Sequence, residues 1–258
     1  MKTALTFLLA ALMLVVRADA QAPAVTNAAL RYWMAFALMK DPPTDQATME
    51  LFDRVAAGTS AWDESRLGKF VDDNREALQI MRRATTLSSC DWGLEYELGP
   101  NTPIAHLARA RVLGRLNGAD AARLAARGQT ADAVDVWLAG IRFSQHVAKG
   151  GTLISLLSAK LSLTPALKSL ARVLSQSQVD AARRKEIEAT LNAIPQTGFD
   201  WADAMKREAE LVAARKRLDP KLNPEMPMQS RVNQTSAEVA AEILAVRASL
   251  ASAAQRGR

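Results

Sequence analysis

Cys90, Asp91, Trp92, Glu95 and Tyr96 fall within seven consecutive positions, and His106 follows ten residues later. A thiol is a nucleophile only as the thiolate; an imidazole beside it can take its proton while a carboxylate orients the ring. In a hydrolase or transferase, Cys90 would attack, His106 would act as base, and Asp91 or Glu95 would orient it. The same residues also read as packing, with Trp92 plugging a helical bundle, Cys90 as a small buried hydrophobe and His106 packed at a helix start. A third reading is a binding loop held on a rigid scaffold, where sites commonly sit. Proximity in sequence does not choose among the three, so these six residues form the candidate binding or structural loop and no residue is assigned a catalytic role.

Elsewhere, familiar chemistry is missing from the sequence. His106 and His146 are too far apart for the usual zinc spacings, and one cysteine makes no cluster, so no metal is expected. There is no glycine-rich phosphate loop, serine elbow or calcium loop, so the expected cofactor list is empty. Paired acids such as Asp72–Asp73, or Glu208 and Glu210, lie in helical stretches, where charges are usually solvated or paired with neighbouring arginines. The formal charge of +6 is modest for 258 residues and hints weakly at acidic partners. A basic surface interleaved with aromatic residues is lacking, which argues against nucleic acid.

The elements that must position the loop are helices. Alanine, leucine and arginine dominate, β-branched and aromatic residues are sparse, and no alternating run makes a convincing strand. Asn27 caps a first helix to about Lys40, apolar nearly all round and so expected inside the bundle. Asp45 or Thr44 caps a second, stopped by Gly58. A third runs from about Glu64 to Thr85 with Leu67, Phe70, Val71, Leu78 and Met81 on one stripe, leaving Lys69, Asp72, Arg75 and Arg82 outside. Thr102 and Pro103 open a fourth, along which Ala110, Gly114, Gly118, Ala121 and Ala125 form a small-residue stripe. Two glycines inside a helix each cost about 1 kcal/mol relative to alanine, so a close-packed neighbour is expected there, or else a hinge near Asn117–Gly118. Gly128 ends the fourth and Thr130 caps the fifth, and Thr164–Pro165 divides a sixth from a seventh.

Ala121 to Gly140 carries Gly128, Ala133, Trp137 and Gly140 at spacings that resemble the middle of a tetratricopeptide repeat. That resemblance implies an antiparallel helical hairpin. A broader resemblance rests on Asn27-Ala28-Ala29, Asn74-Arg75 ahead of Leu78 to Arg83, Cys90-Asp91-Trp92-Gly93, and Pro103 with His106-Leu107. Together they look like an uncharacterised group of exported bacterial helical proteins, which implies export and an all-helical fold and transfers no activity. The expected fold class is therefore all-α, antiparallel hairpins in a single repeat-like domain.

The first twenty residues read as a secretory leader: Lys2, an apolar run from Leu5 to Val16, and Ala18-Asp19-Ala20 as the cleavage site. Removing it takes away two cations and one anion, leaving +5. Arg17 and Asp19 interrupt the run short of the about 20 apolar residues that a membrane anchor needs. The organisation read from sequence is a cleaved leader at 1–20, a helical domain at 21–218, a proline-containing linker at 219–231 and a C-terminal helix at 232–258. That helix carries Val232, Val239, Val246 and Ala253 every seven residues, with Ile243 and Leu250 on the same seam. The functional expectation is an exported, periplasmic or secreted scaffold or interaction protein. The alternatives are a small-ligand binder and a cysteine/histidine-dependent enzyme; an apolar cavity would favour the binder. The partner, whether protein or small ligand, and the oligomeric state are not legible.

Overall fold

The computed structural model describes residues 25–176, 179–218, 221 and 229–256, so the stretch read as a leader and most of the stretch read as a linker lie outside the described residues. The fold is all-helical, and its core is one continuous apolar cluster. Helix α1 spans Ala28–Leu38, α2 Gln46–Ala56, α3 Glu64–Asp73 and α4 Arg75–Ala84. A 3₁₀ segment follows at Tyr96–Asn101, then α5 at His106–Ala126, α6 at Thr130–Ala148 and α7 at Leu153–Gln176. The series ends with α8 at Ala181–Asn192, α9 at Trp201–Leu218 and α10 at Gln229–Arg256. Among the described residues, no helix is long and apolar enough to cross a membrane.

The centre is α5, α6 and α7, each packed on the other two. Helices α5 and α6 form a tight hairpin because Gly128 takes φ +76° and lets the chain reverse. There Gln129 N–H donates to the Leu124 carbonyl and Gly128 N–H to that of Ala125, a Schellman closure that satisfies the last carbonyls of α5. The small-residue stripe performs as its composition implies: a Cβ on Gly118 would lie 3.1 Å from the Ala56 carbonyl oxygen of α2, and one on Gly114 would overlap Ser162 of α7. No hinge interrupts α5 at Asn117. Instead the buried Asn117 amide donates to the Val136 carbonyl and accepts from Arg82.

Around this centre, α1 pairs with α4, α2 and α3 lie on α5, and α10 lies along α7 and α8. The seam expected on the last helix is buried at Val232, Val239, Ile243, Val246 and Ala253, which docks α10 on its own chain. Lys160 to Glu238 at 2.6 Å and Lys168 to Glu242 at 3.5 Å tie the flank of that seam.

Several local expectations are corrected, among them the cap of α6, whose N-cap residue is Gln129 with Thr130 the first helical residue. Helix α1 is not enclosed: Tyr32, Ala35 and Phe36 are buried, but Leu30, Trp33, Met34 and Leu38 face outward, because α1 is an outer helix with neighbours on one side. The stretch from Glu64 to Thr85 is two helices, broken at Asn74, whose buried side chain accepts from Lys40 N–H and donates to the Phe70 carbonyl. That amide tethers the end of α1, a tertiary demand invisible in the apolar stripe. Arg82 of α4 is not outside; it pairs with Asp120. Helix α5 starts at His106 rather than at Pro103, since the Thr102 hydroxyl is used by the Glu95 and Gly99 carbonyls of the 3₁₀ segment. Thr164–Pro165 does not divide α7, which continues through Pro165, and α10 begins at Gln229, inside the stretch read as linker.

Candidate functional site

The Cys90 loop is built on α1. Asn27 caps that helix by accepting from Ala29 N–H, as expected, and the same side chain clamps the loop: its Oδ1 accepts from Asp91 N–H at 2.8 Å and its Nδ2 donates to the Asp91 carbonyl at 2.8 Å. Ala28 N–H donates to the Ser89 carbonyl beside it. The chain then turns inward, and Trp92, only 8% exposed, stacks on Tyr32, Phe36 and His106, with Trp33 edge-on. Its indole N–H donates to the His146 carbonyl at 2.7 Å, a last-turn carbonyl of α6 that the Lys149 N–H reaches only at 3.4 Å. Tyr32 Oη and His146 Nδ1 share a hydrogen bond of 2.7 Å.

Of the six residues read from sequence, Cys90, Trp92 and His106 enter this buried cluster, whereas Asp91 and Glu95 stay exposed at its edge. Tyr96 is half-buried; its hydroxyl donates to the Gly150 carbonyl at 2.7 Å and its ring lies under the Arg207 guanidinium. The Cys90 thiol meets the His146 carbonyl at 3.8 Å, not an imidazole nitrogen, and His106 Nε2 has no hydrogen-bond partner among the described residues. Burial pushes the thiol up to about 12 and both imidazoles down to about 4, with Lys149 adding to the effect on His146. At neutral pH the cluster therefore holds a thiol and two neutral rings, and nothing in it generates a thiolate. Among the described residues, no group of three or more histidine, cysteine, aspartate or glutamate side chains is placed to hold a metal ion.

Sequence reasoning missed the partners. Tyr32 read as one apolar residue among many, and His146 only as a failed zinc ligand. The spacing of Tyr32, Trp92 and His146 carries no local signal, since three separate elements bring them together.

A second region has the form of a binding site. Helix α7 turns Ile154, Leu157 and Leu161 outward at i, i+3 and i+7, with 44%, 48% and 47% of each exposed. These side chains floor a groove. Toward the start of α7 it deepens into a cleft of about 500 Å³ against the 3₁₀ segment, α9 and the first turns of α10. Trp201, Leu211, Val212, Val232 and Ile104 line that cleft, with Arg215, Arg231 and Glu208 its charged members. Toward Pro165 the floor, again including Ile154 and Leu157, continues into a shallower trough of about 740 Å³ walled by α2 and α5. Arg111, Arg115, Lys160 and Lys168 stand in that trough, with Asp53 as its acid. Sequence reading made this stretch helical without saying which of its apolar residues reach the surface; only the row every three or four residues carried a signal.

Set against family models, curated proteins and solved structures, the chain matches none of them.

Proposed function

We propose that this is an exported binding protein that holds a small, largely apolar ligand in the cleft between α7, α9 and α10. The observation that carries the reading is the cleft of about 500 Å³, half of whose lining residues are leucine, isoleucine, valine or tryptophan. Ligand sites are typically concave, of a few hundred cubic ångströms, apolar in lining and furnished with a few polar groups that orient the occupant. Half-exposed Ile154 and Leu157 are the side chains such an occupant would cover. Export rests on the leader, and kinship of the α5–α6 hairpin with tetratricopeptide repeats rests on its glycine and tryptophan spacing; both belong to the same proposal.

Saturable enhancement of N-phenyl-1-naphthylamine fluorescence tests the reading. The protein should bind the dye with one-to-one stoichiometry, and Ile154→Glu combined with Leu157→Glu should weaken binding at least tenfold. Both residues are half exposed, so the fold tolerates the change. Absence of saturable binding, or binding unchanged in the double variant, would overturn the proposal.

The outward face of α1 favours a second reading as an interaction protein, because Leu30, Trp33, Met34 and Leu38 form an apolar row on one helix. Under that reading, Trp33→Ser with Met34→Lys leaves dye uptake intact and abolishes capture of a partner from the native envelope. Capture retained by that variant would exclude α1 as the contact.

A further inference from the structure

We propose that the occupant of the α7 groove is a long-chain carboxylate, its hydrocarbon tail in the cleft beneath Trp201 and its carboxylate on Arg111; this rests on the reading of the groove as a ligand site.

The trough supplies four cations, and three are already matched. Arg115 pairs with Asp53 at 2.9 Å, Lys160 with Glu238 at 2.6 Å and Lys168 with Glu242 at 3.5 Å. Arg111 differs: among the described residues its side chain makes neither an ion pair nor a hydrogen bond, and its Nε is buried without an acceptor. A guanidinium can present two parallel donors, which a carboxylate accepts with both oxygens. Thr164 Oγ1, also lining the trough, is a second buried polar atom without a partner. The Arg111 side chain lines the trough half-buried and without a counter-ion among the described residues, so an anion lying in the trough is the partner its guanidinium lacks.

The rest of the groove selects the tail. Ile154 and Leu157 are shared by the trough and the deep cleft, so apolar surface runs continuously from beside Arg111 into the cleft. From Ile154 to Leu161 the floor extends about 10 Å along the helix at 1.5 Å per residue. A compact anion would leave the apolar cleft wet, and a neutral hydrocarbon would leave Arg111 unmatched. An extended chain ending in one carboxylate satisfies both. A peptide helix with an acidic residue has the same two features, but it is about 10 Å across, whereas the cleft holds only about 500 Å³.

Displacement of N-phenyl-1-naphthylamine by octanoate, decanoate, dodecanoate and dodecanol tests the assignment. Affinity should rise about fourfold per added methylene, equivalent to about 0.8 kcal/mol per buried CH₂. Dodecanoate should bind the native protein at least tenfold more tightly than dodecanol, and Arg111→Met should erase that preference, read as the ratio of the two affinities in the folded variant. Arg215→Met with Arg231→Met, at the opposite end, should leave the preference in place. Dye binding with equal displacement by acid and alcohol would overturn the carboxylate assignment while the ligand cleft stands. A preference that survives Arg111→Met but fails in the Arg215/Arg231 variant would overturn the placement of the head group. Displacement by an acidic amphipathic helical peptide, with none by any dodecyl compound, would transfer the groove to a protein partner. No saturable dye binding at all would instead be the failure of the ligand-site reading beneath it.

Discussion

An indole wedged among Tyr32, Phe36 and His106 contributes far more to stability than the thiol two residues before it. Cutting a buried tryptophan to alanine costs about 3 to 5 kcal/mol in lost burial and residual cavity, and Trp92 also loses its bond to the His146 carbonyl. Trp92→Ala should therefore shift the denaturant midpoint severely, with Cys90→Ser and His106→Gln mild by comparison, in urea unfolding of all three. The native thiol should label slowly at neutral pH with an aromatic disulfide reagent, since burial holds it protonated. Rapid labelling would revive Cys90 as a nucleophile. The histidines set a pH dependence. Their imidazoles titrate near 6.5 in the unfolded chain and near 4 when folded, so between those values the unfolded state binds more protons. Stability is then fully present above about pH 6.5 and falls as pH drops toward 4, both rings acting in the same direction. Urea midpoints measured across that window should show the slope, and His106→Gln should remove about half of it. A flat profile would mean that the rings are hydrated in the native protein.

Helix α10 is the element whose contribution is most easily isolated. Its seam of Val232, Val239, Ile243 and Val246 is covered by α7 and α8, and its loss would bare that face together with the side chain of Lys160. A chain ended after Asp219 should melt at a markedly lower temperature in a calorimetric scan. An unchanged midpoint would mean that the helix contributes no stability by docking. The same truncation removes Arg231 and Val232 from the cleft, so it should also abolish dye binding. Helix-level packing is the part most legible beforehand: the glycine stripe of α5 foretold the close approach of α2 and α7, and the heptad-spaced valines foretold the seam of α10. The break at Asn74 was not legible, because an asparagine inside an amphipathic pattern looks the same whether it faces water or ties down the end of another helix.

For the molecule as a whole, the proposed location bears on the proposed ligand, since an exported protein meets only what the envelope or surroundings contain. The leader predicts that the mature chain begins at Gln21, and intact-mass measurement of native material from the envelope fraction would check this. A native protein that keeps Met1 to Ala20 in the cytoplasmic fraction would refute export. The candidate loop was only half readable at this scale. Cys90, Trp92 and His106 do converge, but on Tyr32 and His146, which arrive from α1 and α6 and turn a possible reactive set into a closed aromatic cluster.

Sequence alone determined the all-helical class, the capping of α1 by Asn27, the stop at Gly58, the hairpin at Gly128 and the apolar seam of α10, because each depends on residues within a few turns of one another. Tertiary structure decided which apolar faces remain uncovered. Leu30 and Trp33 on α1, and Ile154, Leu157 and Leu161 on α7, have the composition of core residues and are exposed only because the helices that would cover them pack elsewhere. It also decided that Arg111 stands without a carboxylate while its neighbours on α5 and α7 have one each, since ion pairing depends on which helices meet, and neither charge count nor spacing along the chain contains that information.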